Sequence, residues 1–493
     1  MNSEQGAYER IVDRWIAVRL FVTVYLICLL CIDDRLFSDI NRFQYLAQSL
    51  AQNHTIDIRG IEQIHGGAIH DAFEFQGRRI LWQNPGVSFF VTPAYSISRW
   101  LHIEETISGL FGAHFVPAYH DFIFSMTINA PFAGIFVTSL WLILRERGLT
   151  RRLSSFIVSC AFWGSMTAYY FTIGNNVQTA VELSLTTVAW LFVLKVDRDC
   201  HPHRLLFLSG IFLGLANLVS APAFFTTICT VLYAVLRHNK KAWPIIAGLV
   251  PGVGMLLAYQ LIAFGNPLVN ASMVSTVPVQ RTEVSTIVSI TSVAREFLVG
   301  RDVGIIWYFP LIVVLFLGFF RRKSVTRLSM LCWTLIIGHW LLASYFVSYY
   351  VTNWGWRGGE WVWQQGVGAG GSRYLMQVVP FVALLITQLD LRSLRVRQWI
   401  MWMGAIGLSL NIPVMMYPAG GPVFRSLFLM LRHGMSVPLS RVANHLVQTD
   451  VSSVASSAQA SDAGIFLTWF VVFGGFTLCI WKSSRFRDWL YED

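Results

Sequence analysis

Uninterrupted apolar runs recur along the whole of this 493-residue chain. A run of about 20 such residues, coiled into an α-helix, spans the hydrocarbon core of a bilayer. Charged residues make up only 13% of the sequence, against roughly 25% in soluble domains. Alternating strands of the membrane-barrel type are absent, and a backbone in lipid must satisfy its own hydrogen bonds. The pattern therefore predicts an all-α polytopic membrane protein with about 12 spans.

Basic residues set the expected orientation of these spans. The formal net charge is +10, but the Lys and Arg residues lie in short loops between apolar runs, which the positive-inside rule explains better than nucleic-acid binding. We expect these loops and both termini to be cytoplasmic. The basic loops are "RERGLTRR", "KVDRDCHPHR", "RHNKK", "RRKSVTR", "RSLRVR" and "KSSRFR". The approximate spans are 15–32, 121–144, 153–173, 178–195, 205–219, 221–237, 243–263, 304–320, 328–350, 375–389, 398–416 and 464–481.

The opposite side receives four long loops, at about residues 33–120, 264–303, 351–374 and 417–463. Loops of this length are functional or disordered, and the low complexity of the last one favours a flexible tether. In the first loop, "NRFQYLAQSLAQ" has helical spacing and "VSFFVTPAYSISRWLHI" is typical of a helix at a membrane surface. We divide the chain into a catalytic core, residues 1–390, and C-terminal helices with the flexible loop, residues 391–493.

Asp39 lies just after the first apolar run, three residues before Arg42. It has two compatible interpretations. Either Asp39 or Ser38 begins the helix that follows, as an N-cap. Alternatively, Asp39 is a general base, because a helix N-terminus holds a carboxylate ionised and in place. Asp33 and Asp34 lie at the very end of the apolar run and are expected to be ordinary interfacial charges.

Arg373 and Tyr374 end the glycine-rich loop "NWGWRGGEWVWQQGVGAGGSRYL". An aromatic belt with an interfacial Arg explains one or two of its tryptophans, but not the glycines, which allow a backbone to approach a ligand closely. Because the guanidinium fork matches phosphate, we predict that Arg373 and Tyr374 bind a phosphate. Arg301 is a further phosphate candidate, or else it pairs with Asp302.

A second polar stretch, "GRRILWQNPG" at residues 77–86, contains a Pro-Gly turn signal. It is either a plain turn or the wall of a pocket that Trp82 and Asn84 line. Tryptophan faces stack on sugar rings, so we group these residues with those of the glycine-rich loop. The residues predicted to bind a sugar or an acceptor are Trp82, Asn84, Trp356, Arg357 and Glu360.

Two ionisable residues fall inside predicted spans, Glu182 and His339. Intramembrane ionisable residues are functional candidates by default. Each of the two is equally well explained as a buried, hydrogen-bonded group.

At these motifs the chain resembles the membrane glycosyltransferases of the GT-C class that use a polyprenyl-phosphate sugar, in particular bacterial enzymes of the aminoarabinose-transferase and mannosyltransferase kind. Their first outer loop begins with Asp-Glu-x-Arg-Tyr and a helix. The stretch "DINRF" is similar, with Asp39 and Arg42 in register, whereas the family's Glu and Tyr are replaced by Ile40 and Phe43.

Later motifs extend the resemblance over residues 15–390. "GRRILWQNPG" is similar to the Gly-Arg and the Lys-Pro-Pro-type turn of that class, with Asn84 where Lys often stands, so a lysine–phosphate contact is in doubt. "FGNPL", "WYFPL" and "GSRYLMQVVPF" also resemble recurring pieces of these enzymes.

The resemblance implies a GT-C-like architecture in the bacterial inner membrane, with the active site facing the periplasm. It implies a polyprenyl-phosphate donor, an acceptor that is a glycan, lipid or protein, and inversion at the anomeric carbon. Asp39 would be the general base, Arg42 would orient it or meet phosphate, and Arg373 would stabilise the leaving phosphate. Asp39, with Asp33 and Asp34, would be the available ligands for a divalent metal ion, although no ligand spacing requires one.

Two other functions fit the same pattern. An O-antigen polymerase or ligase also has many spans, large outer loops and essential arginines, but does not need Asp39. A 12-span transporter or flippase predicts two similar halves and ionisable residues near the midplane. The sequence specifies neither the sugar, the acceptor nor the length of the lipid.

Overall fold

The computed structural model describes residues 3–31, 38–65, 72–111, 116–172, 177–197, 201–274, 286–301, 303–318, 326–353, 373–416 and 423–433. This part of the chain is almost entirely helical, which confirms the all-α class. Within it, five helices are long and apolar enough to cross a membrane: Tyr119–Glu146, Val177–Lys195, Pro202–Val219, Trp243–Phe264 and Arg327–Ser348. The chain is thus an integral membrane protein.

The described helices follow one another along the chain with few long gaps. They are α1 Ser3–Leu30, α2 Ser38–Asn53, α3 Arg59–His65, α4 Gly86–Trp100, α5 Ile103–Phe111, α6 Val116–Phe124, α7 Ala130–Glu146, α8 Arg151–Phe162, α9 Met166–Thr172, α10 Val177–Lys195, α11 Pro202–Val219, α12 Ala223–His238, α13 Trp243–Phe264, α14 Ala271–Val274, α15 Thr286–Val299, α16 Ile305–Tyr308, α17 Leu311–Gly318, α18 Arg327–Asn353, α19 Val379–Ile386, α20 Leu394–Met416 and α21 Val423–His433. A π-helical segment, Ser125–Asn129, joins α6 to α7, and 3-10 segments Asn239–Ala242 and Arg373–Val378 precede α13 and α19.

Eleven of the predicted spans coincide with helices, but two of them are broken. The span at 153–173 divides into α8 and α9, because the Ser165 hydroxyl accepts a hydrogen bond from Thr167 N and begins a new helix. The span at 304–320 divides into α16 and α17 at Phe309, just before Pro310, which has no N–H to continue a helix. The span at 464–481 lies outside the described residues, and the count of 12 stays a prediction.

Helix α10 lies at the centre of the described helices. It packs against α7, α11, α12 and the Arg373–Val378 segment. In α10, 78% of the most apolar window is buried within the protein, against 28% in α13. A helix that is apolar all round is either enclosed by other helices or exposed to membrane lipid. Helix α10 is therefore a core helix, whereas α13 exposes most of its apolar surface.

Helices α11 and α13 approach each other closely through glycines spaced four residues apart. A Cβ added to Gly210 would stand 2.1 Å from Ile245 O, and one added to Gly252 would stand 2.1 Å from the carbonyl carbon of Gly214. A Cβ on Gly248 would stand 2.2 Å from Phe207 O. Small residues at this spacing allow helix backbones to pack together in a membrane.

The long first loop, which precedes α6, folds around an antiparallel hairpin with a small core of its own. Strands β1 (Ala72–Phe75) and β2 (Arg78–Leu81) pair through a turn in which Gly77 has a φ of 74°. The ring of Phe75 lies 5.6 Å from that of Phe264, and Arg78 Nη1 donates a hydrogen bond to Ile262 O. The hairpin therefore attaches to the end of α13.

Candidate functional site

Asp39 lies in the first turn of α2, which begins at Ser38. The sequence predicted a helix beginning at one of these two residues, and this is confirmed for the backbone. A carboxylate at this position is stabilised by the helix macrodipole. The side chain of Asp39 is outside the described part of the structure, as are Asp33 and Asp34.

Arg42 is buried, with only 3% of its surface exposed, and its guanidinium carbon lies 4.9 Å from the centre of the Phe43 ring. The apolar residues Phe43, Leu46 and Ala47 are fully buried, as their helical spacing predicted. The first turns of α2 are therefore enclosed by protein.

The polar residues of α2 are buried as well, which the sequence did not predict. Gln44 donates its Nε2 to Asp121 Oδ1 at 3.0 Å, and Ser49 donates its hydroxyl to Asp57 O at 2.7 Å. Gln48 hydrogen-bonds Tyr95, whose pKa burial raises well above its usual value, with a further rise from the charge of Asp121. The polar side chains of α2 have hydrogen-bond partners inside the first loop and in α6. These partners take the place of water.

The Val177 end of α10 connects the two predicted arginine sites. Phe43, next to Arg42, shares a buried apolar cluster with Val177 and Val181 of α10. Gln377, four residues after Arg373, donates its Nε2 to Thr179 O at 3.2 Å. The element that carries Arg42 is thus connected to this end of the core helix through a shared apolar cluster, and the element that carries Arg373 through a direct hydrogen bond.

Arg373 contacts Tyr374, with which it was predicted, and lies near Tyr170, which the sequence analysis missed. Its Nη2 donates a hydrogen bond to the Tyr374 hydroxyl at 3.2 Å, and its guanidinium carbon lies 5.1 Å from the centre of the Tyr374 ring. The positive charge of Arg373 acts electrostatically on Tyr170, as do Tyr169 and Tyr308. These tyrosines come from α9 and α16. The only sequence signal was the Tyr-Tyr pair at 169–170 and the "WYFP" motif.

Arg301 is exposed in the turn between α15 and α16. Its predicted alternative partner, Asp302, is outside the described residues. The turn is held by the hydrogen bond from Gly304 N to Gly300 O at 2.8 Å. Arg301 is thus less enclosed than Arg42 or Arg373.

Trp82 and Asn84 lie in the first loop, beside α11 and α13. Trp82 is half-buried, and its ring lies 6.2 Å from Phe73, edge to face. Asn84 donates its Nδ2 to Asn217 O at 3.1 Å, near the end of α11. Arg79, which flanks them in sequence, forms an ion pair with Glu62 at 3.2 Å. Trp356, Arg357 and Glu360 are outside the described residues.

The two intramembrane candidates are both buried. Glu182 is 1% exposed and hydrogen-bonds Ser220, while its Oε1 has no hydrogen-bond partner among the described residues. The ring Nε2 of His339 lies 2.8 Å from the Thr226 hydroxyl. His339 is therefore a hydrogen-bonded core residue, whereas Glu182 keeps one oxygen available.

The described side chains contain no group of three or more His, Cys, Asp or Glu residues that could hold a metal ion. The aspartates predicted as possible ligands lie outside that set. Comparisons of the chain with family models, with curated proteins and with solved structures find no match in any of the three.

Proposed function

We propose that the protein is a GT-C-type glycosyltransferase that transfers a sugar from a polyprenyl-phosphate carrier to an extracytoplasmic glycan, lipid or protein, in the biosynthesis of cell-envelope glycans. It lies in the bacterial inner membrane, with the Val177 end of α10 facing the periplasm. The observation that carries this proposal is the attachment of the Arg42 and Arg373 elements to that one end. A phosphate ligand and a base must be held near each other for transfer.

In the proposed reaction, the lipid-linked donor enters sideways from the bilayer and its phosphate meets Arg373. Asp39 accepts the proton of an acceptor hydroxyl. The acceptor oxygen then bonds to the anomeric carbon as the bond from that carbon to the phosphate oxygen breaks. The polyprenyl phosphate leaves with the electron pair, stabilised by Arg373 with Arg301 as a further candidate, and the configuration is inverted.

The other residues predicted to bind a sugar or an acceptor, apart from Asn84, would contact these ligands. Arg42, one helical turn from Asp39, keeps that carboxylate ionised or meets the phosphate. Tyr374 supplies a hydroxyl beside Arg373. A divalent metal ion at Asp39 stays part of the proposal, and activity measured with and without a chelator tests it.

Release of free polyprenyl phosphate tests the proposal directly. The purified protein in nanodiscs is incubated with a panel of polyprenyl-phosphate sugars and candidate acceptors. We expect release from one donor, and a loss of about 10²-fold or more for Asp39→Asn, since a general base contributes that much. Glu105→Gln is a matched control in the same loop, because Glu105 is exposed and the ion-pair partner it has among the described residues, His102, is exposed as well.

Other outcomes favour the rival functions. Release that survives Asp39→Asn but not Arg373→Ala indicates a polymerase or ligase mechanism. The buried carboxylate of Glu182 is the observation that favours a transporter, because transporters place ionisable residues within spans. Movement of a lipid-linked sugar across a liposome without release of polyprenyl phosphate would identify that function instead.

A further inference from the structure

The end of α11 depends on side chains from other parts of the chain. The last four carbonyl groups of a helix have no partner within it, and an unsatisfied carbonyl in an apolar environment is costly. Asn84 donates its Nδ2 to Asn217 O at 3.1 Å, and Gln178 donates its Nε2 to Val219 O at 2.6 Å. The first loop thus supplies one of the hydrogen bonds that complete a candidate membrane span.

The backbone after Asn84 fits directly against the same helix end. A Cβ added to Gly86 would stand 2.7 Å from Val219 N and 2.8 Å from the carbonyl carbon of Leu218. These are backbone atoms, which cannot rotate out of the way. We call residues 84–86 the docking turn. It joins the first loop to α11 both by a hydrogen bond and by close backbone contact.

Helix α4 begins at Gly86 and connects the docking turn to α2. Val87, Val91 and Tyr95, each four residues apart, share one buried apolar cluster with Phe43 and Ala47 of α2. At its far end α4 is fixed again, since Arg99 Nη1 donates to Ala51 O, at 3.3 Å, and to Gln52 O. The two helices are therefore attached from Phe43 to Gln52 of α2.

We infer that Asn84 and Gly86 are positioning residues. The docking turn fixes the place at which α2 presents its first turn, with Asp39 and Arg42, relative to the Val177 end of α10. The sequence predicted that Asn84 binds a sugar or an acceptor, but its amide donates to the protein backbone instead. The inference that the docking turn fixes the position of α2 depends on these contacts alone. The inference that it affects the reaction rate rests on the proposed function.

Hydrogen–deuterium exchange of the protein in nanodiscs tests whether the docking turn fixes the position of α2. We expect Gly86→Ala to speed exchange in both α2 and α4. Gly60→Ala is the matched control in the same loop, because a Cβ there would meet only Asn53 Nδ2 at 3.6 Å. If Gly86→Ala does not fold, Asn84→Ala, which removes the hydrogen bond without a clash, is expected to give the same pattern more weakly. Wild-type exchange in α2 for a folded Gly86→Ala or Asn84→Ala variant overturns the inference.

Steady-state kinetics separate positioning from ligand contact. We expect Asn84→Ala and Gly86→Ala to lower kcat by up to about 10²-fold, the effect of displacing a reacting group by roughly 1 Å, with KM for the donor within about twofold. Asn84→Asp keeps the shape but loses the donor, so it should behave like Asn84→Ala. A raised KM for Asn84→Ala with normal Gly86→Ala kinetics identifies a ligand contact and refutes positioning. If the wild type turns over no donor, the proposed function fails, and the exchange result still decides whether the docking turn fixes α2.

Discussion

Two glycines on α13, only two residues apart, are expected to respond oppositely to the same substitution. At Gly252 an added Cβ would stand 2.1 Å from the carbonyl carbon of Gly214, 2.3 Å from Gly214 O and 2.5 Å from Leu215 N. At Gly254 it would meet nothing within 4 Å. Ordinary contact begins at 3.4 Å, so Gly252→Ala forces α11 and α13 apart by roughly 1 Å.

The expected change in the free energy of unfolding follows from two opposing effects. Overpacking of this kind costs about 1–3 kcal/mol, sometimes more, and a gap of 0.5–1 Å forfeits about a quarter to a half of each van der Waals contact along the seam. Ala in place of Gly within a helix gains up to about 1 kcal/mol. Gly254→Ala receives only that gain. Because this gain is common to both variants, their free energies of unfolding should differ by the overpacking cost, about 1–3 kcal/mol.

Thermal stability in detergent measures this difference. Because large proteins often unfold irreversibly, the quantity compared is the temperature at which half of the monodisperse gel-filtration peak is lost after a fixed heating time. We expect the value for Gly252→Ala to lie about 1–3 °C below that for Gly254→Ala, because 1 kcal/mol shifts the midpoint by about 1 °C in a chain of 493 residues. Equal shifts for the two variants would show that α11 and α13 are not packed through these glycines.

Three further predictions concern the site and the membrane. Arg373→Ala should abolish most donor turnover and Arg373→Lys should recover only part of it, since a point charge lacks the bidentate fork; normal turnover by Arg373→Ala refutes the phosphate assignment. A cysteine introduced at exposed Ile64 should react with an impermeant maleimide in intact cells, and one at exposed Arg147 should not; the reverse pattern inverts the topology. A spin label at Ile97, 56% exposed on α4, should be reached by lipid-soluble oxygen, and one at Ile64, 69% exposed, by a water-soluble relaxant; equal access of both labels to water contradicts a membrane-surface helix.

The sequence predicted the helices well where composition alone decides them. An apolar run of the right length becomes a helix whatever surrounds it, so eleven predicted spans overlap described helices. The spacing of Phe43, Leu46 and Ala47 likewise predicted buried positions of α2, but it did not predict that the polar residues between them are buried too. A window of hydropathy averages over single residues, however, and it therefore missed the interruptions at Ser165 and Phe309.

The contacts between distant segments were beyond the sequence argument. The "GIFLG" and "GLVPG" stretches of α11 and α13 each contain glycines four residues apart, a signal that identifies a close-packing surface but not its partner. In the same way, nothing local to Arg373 or Tyr308 indicates that both lie near Tyr170. Asn84 was predicted to bind a sugar or an acceptor, and its hydrogen-bond partner lies 133 residues away, where no local pattern could indicate it.

The central position of α10 gives a physical reason for a site at its Val177 end. A rigid, enclosed helix holds attached groups more precisely than a loop does. The Arg42 element is connected to this end through the apolar cluster that includes Val177 and Val181, and the Arg373 element through a hydrogen bond to Thr179 O. An inverting transfer needs its base and its leaving phosphate on opposite sides of the anomeric carbon. Two separate elements of the chain that are both connected to one helix end can hold such groups independently of each other, as the proposed reaction requires.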